Sequence, residues 1–284
     1  MRTLAILGLG LMGGSLGLAA RRSGVVSRVQ AYARRGESRA KAITLNVVDS
    51  AFETAAEAVA EADIVVVCVP VLQIPALVEQ CATSLKSGAV ITDVGSTKHE
   101  VVESIESLLH GSGAEFVGSH PMAGSEQTGI GAANADLYQD ATVIVTPTTR
   151  SGIDAVATIQ EFWAALGAQV ETMSPQAHDG LIARTSHLPH LVAAALVDTV
   201  LGKSPEASGL CANGFRDTTR VAAGSEEIWH DIVKTNPACV SEALGDMITS
   251  LQDLRGLVDR GEFDHIRDYL ESCRRIRQSL GDQV

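Results

Sequence analysis

The chain has 284 residues, 45% hydrophobic and 20% charged, an ordinary globular balance with room for two cores. Its formal charge of −12 argues against nucleic acid, since phosphate neutralisation needs a basic surface; an anionic ligand would have to be met by a few placed arginines. Cys68, Cys81, Cys211, Cys239 and Cys273 are odd in number and lack C-x-x-C spacing, and neither a charged leader nor an apolar run of about 18 residues is seen, so a cytoplasmic protein without disulfide framework, zinc site or membrane span is expected.

Leu4–Leu7 is a short apolar run predicting a strand. Behind it Gly8, Gly10 and Gly13 fall at G-x-G-x-x-G spacing, with Leu11 and Met12 opening a helix that ends near Gly24. Each glycine has a task in binding a dinucleotide: a sharp turn, backbone approach to the pyrophosphate, and close helix packing. The diphosphate would sit against free N–H groups at the positive end of the helix. Arg28–Ala33 predicts a second strand, and where an NAD-binding fold carries an acidic residue the sequence reads Ala33-Arg34-Arg35-Gly36. Two guanidinium groups suit a 2′-phosphate, which favours NADP over NAD.

Ala55–Ala62 reads as helix and Asp63–Pro70 as a strand buried on both faces, followed by a helix over about Ile74–Leu85 and a strand at Ala89–Gly95. This alternation implies a doubly wound parallel sheet, with ligands beyond the carboxyl ends of its strands. Val69 and Pro70, Ser96 and the stretch 118–126 would gather there. Ser96 also reads as a helix N-cap. Phe116–Val117 predicts a short strand, and His120 follows between small residues, beside Pro121, where a proton acceptor for hydride transfer would be placed. Ala141–Pro147 (strand), Ile153–Leu166 (helix) and Gln169–Met173 (strand) close an α/β domain over residues 1–173.

Residues 174–284 carry no strand signal. Helices are predicted from Pro175 to about Leu201, then at Ser225–Lys234, Pro237–Asp259 and Glu262–Leu280, an all-α domain whose apolar faces would pair two subunits. On the first helix His178 and His187, nine residues apart, fall on opposite faces, and only His187 and His190 share one, a poor metal site. Pro189 should kink that helix toward the cleft. Gly214–Arg220 reads as a polar loop in which an arginine beside an aspartate could grip a carboxylate.

Five stretches, GLGLMGGSLG (8–17), DVGSTK (93–98), GSHPMAGSE (118–126), HDGLIARTSHLPH (178–190) and GFRDTTR (214–220), together resemble the prephenate/arogenate dehydrogenases of tyrosine biosynthesis over nearly the whole chain. The resemblance implies a Rossmann-type dinucleotide-binding domain followed by a helical dimerisation domain, and oxidative decarboxylation of prephenate or L-arogenate with hydride passing to NAD(P)+. It implies that His120 hydrogen-bonds the ring hydroxyl and that Ser96 orients them. It implies that Arg220 binds a substrate carboxylate, with His190, Glu126 and Trp229 as further contacts. The rival readings are a β-hydroxyacid-type dehydrogenase, which would use a lysine where this chain has His187 and His190, and a dinucleotide sensor without turnover.

Overall fold

The computed structural model describes residues 2–124 and 127–281. The chain opens with β1 (Thr3–Leu7), turns through Gly8 and enters α1 (Leu11–Ser23), which stops at Gly24 in the left-handed conformation. There follow β2 (Arg28–Tyr32), α2 (Gly36–Thr44), β3 (Ser50–Phe52), α3 (Ala55–Val59), β4 (Ile64–Val67), α4 (Ile74–Cys81), β5 (Val90–Asp93), α5 (His99–Leu108) and β6 (Glu115–Phe116). The six strands pair in parallel in the order β3-β2-β1-β4-β5-β6, which reverses between β1 and β4. Such a switch point opens a crevice at the carboxyl ends of those two strands. The pattern-based reading passes over α2 and β3, because three residues, Ser50 to Phe52, are too few to show a period.

The central strands are buried on both faces. Leu4, Ile6, Ile64 and Val66 face one apolar cluster, and Ala5, Leu7, Val65 and Val67 the other. That is why these runs read as uninterrupted hydrophobic stretches.

After Phe116 the chain leaves this sheet. Gly118–Pro121, placed by the sequence just past the short strand Phe116–Val117, is a strand of its own, β7, antiparallel to β8 (Thr142–Thr146). Helix α6 (Ile153–Ala165) then leads to β9 (Gln169–Thr172), parallel to β8 and completing a second, three-stranded sheet. Gly118 permits the crossing: a Cβ there would lie 2.6 Å from Thr146 Oγ1 and 2.8 Å from a methyl of Val102.

The long helix predicted from Pro175 to about Leu201 is present, helical throughout but with its phase changed by π turns. Helix α7 (Pro175–Ile182), capped by Ser174, runs into a π-helical turn at Ala183–His187 before α8 (Leu188–Val197) begins. Pro189 has no N–H to continue the ladder, and the extra residue taken up by the π turn shifts the helix phase. With that extra residue His178 and His187 no longer fall on opposite faces of the helix, and both are fully buried. A second π turn (Asp198–Gly202) and a short 3-10 segment lead to α9 (Asn213–Thr219). Helix α10 (Glu226–Thr235) follows a 3-10 turn at Arg220–Ala223. The expected loop at Gly214–Arg220 is thus α9 itself, with Arg220 at its end.

The chain divides into two compact units, Met1–Pro237 and Ala238–Val284. In the second, α11 (Pro237–Asp259) and α12 (Phe263–Ser279) are joined through Gly261 at φ 69°. Ile248, Leu251, Val258, Phe263, Leu270 and Ile276 are exposed on these helices. Among the described residues no helix is long and apolar enough to cross a membrane.

Candidate active site

The glycine turn is shaped as its spacing predicts. Gly8 sits at φ 113°, and a Cβ there would meet the Cys68 carbonyl at 2.4 Å; a Cβ on Gly13 would lie 1.9 Å from the Gly8 carbonyl oxygen. These two close the turn against β4 and α1. Gly10 is different: nothing lies within 4 Å of where its Cβ would be. With Leu11 and Met12 it opens onto a cavity of about 510 Å³ that Val69, Pro70 and Ser96 also line. No acidic residue occupies the first turn of α1 and no side chain caps it, so the dipole and its free N–H groups are left for an anion. The residues present fit a dinucleotide. Arg34 and Arg35 stand exposed where β2 gives way to α2, outside the residues lining that cavity. Their turn is pinned by Arg39, which donates to the carbonyls of Ala33 (2.9 Å) and Arg34 (3.2 Å) and pairs with Glu53.

Ser96 is not a helix cap. Helix α5 starts at His99, and its first N–H groups are taken by Asp179: Lys98 N–H donates to Oδ1 at 2.8 Å and His99 N–H to Oδ2 at 2.9 Å. The Ser96 hydroxyl is left to the cleft, where it lines both the dinucleotide cavity and a second one of about 440 Å³. His120 lines this second cavity and is otherwise buried. Its strand is fastened from behind. Asp93 accepts from the N–H of Ser119 at 3.1 Å, while Lys98 Nζ pairs with Asp93 and donates to the Ser119 carbonyl at 2.9 Å. The Ser119 hydroxyl also receives the indole N–H of Trp163 at 3.0 Å.

Behind His120 stands a chain of buried polar groups. His120 Nδ1 meets His178 Nε2 at 2.9 Å, and His178 Nδ1 meets Asp179 Oδ1 at 2.8 Å. The Asp179 carbonyl in turn accepts from the side-chain amide of Asn236 at 2.9 Å. Burial, then His178, Lys98 and His187, hold His120 well below the usual histidine value. Burial likewise lowers His178, against the opposing hydrogen bond to Asp179. Asp179 is lowered because the N–H donors on it outweigh its burial, so it is an ionised acceptor. At neutral pH His120 is an uncharged imidazole beside a cavity, the state a proton acceptor requires.

Trp229 forms the far wall of the second cavity, and His190 stacks on it with ring centroids 3.5 Å apart and an interplanar angle of 11°. Gly224 makes room for the stack, since a Cβ there would be 2.8 Å from Trp229 Nε1 and 3.3 Å from His190 Cε1. Arg220 is exposed and does not line the cavity; it lies at the start of the short turn whose last residue, Ala223, does. Glu126 lies outside the described residues. Among the described residues no group of three His, Cys, Asp or Glu is arranged to hold a metal ion.

Two family models cover the chain: the nucleotide-binding domain of prephenate dehydrogenase matches residues 16–172, and the dimerization domain of prephenate dehydrogenase matches residues 174–272. The chain belongs to the prephenate dehydrogenase family. It is 34% identical over 281 residues to a cyclohexadienyl dehydrogenase of Zymomonas mobilis, covering 98% of this chain and 95% of that one. It is 33% identical to a prephenate dehydrogenase of Bacillus subtilis, covering 98% and 76% respectively. The crystal structure of prephenate dehydrogenase from A. aeolicus in complex with hydroxyphenyl propionate and NAD+ superimposes with a TM-score of 0.92 at 32% identity, over 99% of this chain and 98% of that one. The chain is an NAD(P)-binding oxidoreductase, and the family's reaction is the oxidative decarboxylation of prephenate in tyrosine biosynthesis.

Within this family frame, sequence reasoning missed the support behind the site. His178 was weighed only as a metal ligand, and Asp179 reads as one more charged helix residue. The signal was the adjacent His-Asp pair just inside a Ser-Pro helix start. It becomes legible only once α7 is seen to pack on the N-terminus of α5. Asp231 and Ile232, on α10, line the dinucleotide cavity and were likewise not singled out.

Proposed function

We propose that this chain oxidises and decarboxylates prephenate, with NADP+ favoured over NAD+, through Ser96 and His120. The observation that carries this reading is the wall shared by the two cavities: Ser96, Ala123, Gly124, Thr128, Ile228 and Ile232 line both. A cofactor ring reaching along one and a substrate ring in the other would meet at Ser96, beside His120. The dinucleotide, when bound, supplies the hydride acceptor. His120 takes the proton of the ring hydroxyl as hydride leaves the same carbon. Because the product is a phenol, that proton returns to the same oxygen as carbon dioxide departs. Ser96 orients the hydroxyl, Arg220 reaches round its turn to a substrate carboxylate, and His190 and Trp229 bound the side-chain end. Glu126 belongs to the mouth of the site.

Gly8, Gly10, Leu11, Met12, Gly13, Val69, Pro70 and Ser96 hold the dinucleotide, and Arg34 and Arg35 take its 2′-phosphate. The matching family models and the Bacillus subtilis relative are named for prephenate, which supports a keto-acid side chain. The working division falls at Ser174, with the helices beyond it closing over substrate and pairing two copies of the chain. The exposed apolar residues of α11 and α12 support that pairing. Cysteines odd in number and without C-x-x-C spacing suit a reducing, cytoplasmic setting.

Initial rates with prephenate and with L-arogenate, each with NADP+ and NAD+, test the reading. Prephenate with NADP+ is expected to be fastest. Preference for NAD+ removes the 2′-phosphate role of Arg34 and Arg35, preference for arogenate removes the side-chain argument, and silence in all four combinations overturns the proposal.

A further inference from the structure

The proposal that His120 accepts a proton leaves open which ring nitrogen does so, and the buried groups behind it decide. Asp179 is an acceptor only: its two oxygens already receive the backbone N–H groups of Lys98 and His99, and Oδ1 also faces His178 Nδ1 at 2.8 Å. A contact of that length to a carboxylate requires a proton on the nitrogen, so His178 carries Nδ1–H. A neutral imidazole with its proton on Nδ1 has a bare Nε2, and His178 is fully buried. The 2.9 Å contact from His178 Nε2 to His120 Nδ1 then needs its proton from His120. His120 in turn carries Nδ1–H, and its Nε2 is left bare for the cavity.

We infer that His178 is a positioning residue which fixes the tautomer of His120, so that Nε2 is the atom that accepts the proton of the substrate hydroxyl. This rests on the reading of His120 as the acceptor. When the proton arrives, His120 holds it on Nε2 and keeps its Nδ1–H bond to His178. No proton needs to pass to Asp179, whose role is to hold His178 in one tautomer and one orientation. A protonated His178 would reverse the order. It would donate from Nε2, His120 Nδ1 would become the acceptor, and Nε2–H would face the substrate with no lone pair to offer. The groups facing His120 are His178 from α7, Lys98 from the residues before α5, and His187 from the π turn; each disfavours an added positive charge there. The Asn236 amide on the Asp179 carbonyl and the Thr97–Thr235 hydroxyl pair at 2.8 Å tie this assembly to the end of α10, the helix that walls both cavities.

The test is nitrogen NMR on the full chain with ¹⁵N-labelled histidine, His120 being assigned by difference from His120→Asn. Wild type is expected to show His120 with a protonated Nδ1 and a bare Nε2. In His178→Leu that signature should give way to mixed tautomers, with kcat falling about 10²-fold and substrate KM staying within about 3-fold. In His178→Gln, whose side-chain oxygen can stand near the position of Nε2, the Nδ1–H signature and most of the turnover should return. An Nε2–H tautomer in wild type overturns the inference, as does a His120 signature unchanged in His178→Leu. If the leucine variant does not fold, the wild-type spectrum and the glutamine variant still decide. Full turnover in His120→Asn would instead bring down the acceptor reading, whatever the tautomer spectrum shows.

Discussion

The carboxylate of Asp93 and the ammonium of Lys98 meet where solvent reaches neither, and between them they hold both backbone polar groups of Ser119. Asp93 ends a strand of the six-stranded sheet and Ser119 belongs to the three-stranded one, so the pair pins one sheet to the other one residue before His120. Burial pulls the Lys98 ammonium below its ordinary value, and Asp93 opposes that pull.

Lys98→Met would leave Asp93 buried without its partner. Loss of one member of a buried pair typically costs about 3–5 kcal/mol, and urea unfolding should show a loss of that order. A loss below about 1 kcal/mol would mean that the pair is not what fastens the two sheets.

Gly10 and Gly13 should respond in opposite ways to the same added methyl. Gly10→Ala has open space around its Cβ and should unfold within about 0.5 kcal/mol of wild type, yet bind dinucleotide at least ~10-fold more weakly because the methyl enters the anion's place. Gly13→Ala drives a methyl onto a backbone oxygen and should be destabilised by roughly 1–3 kcal/mol or more. Calorimetric titration with NADP+ beside thermal unfolding separates the two; equal behaviour would undo the division of roles.

His120→Asn should leave substrate KM nearly unchanged and lower kcat by about 10²–10⁴, the range for loss of a general base. Arg220→Ala should chiefly raise substrate KM. Steady-state kinetics with prephenate reads both, and an unchanged KM in the second variant would remove Arg220 from the site.

Acid should weaken the fold through His187. Its ring is fully buried with neither nitrogen partnered, and burial, with His178 adding and Asp179 opposing, depresses it from 6.5 to about 4. The unfolded chain therefore binds the proton first as pH falls, so stability is full above about pH 6.5 and declines toward pH 4. The total is on the order of 3 kcal/mol. Comparing urea unfolding at pH 7.5 and pH 5 should show that His187→Leu loses less on acidification than wild type does. Parallel losses would assign the acid sensitivity elsewhere.

Much of this was legible in the sequence because its causes are local. A turn at φ 113° with backbone pressed on backbone admits only glycine, so Gly8 and Gly13 announce themselves. Ile64–Val67, covered on both faces, reads as apolar without interruption. His120 stood out because Ser119 and Pro121 flank it in a chain that should end beside a cofactor. The support behind it was not legible, since it depends on α7 meeting α5. Nor was β7, whose Gly-Ser-His-Pro lacks the branched alternation of a strand and is held by β8 and by the Asp93–Lys98 pair. The π turn escaped because periodicity assumes 3.6 residues per turn throughout.

The Arg34–Arg35 turn sits at the end of β2, whereas Ser96 and His120 follow β5 and lie within β7. Under the proposed roles, the choice between NAD and NADP and the bond-breaking would fall on separate stretches of one polypeptide, joined through a cofactor spanning them. A lineage could exchange the residues after β2, trading one dinucleotide for the other, without disturbing the groups that carry out the oxidation. Innovation at one end is insulated from chemistry at the other.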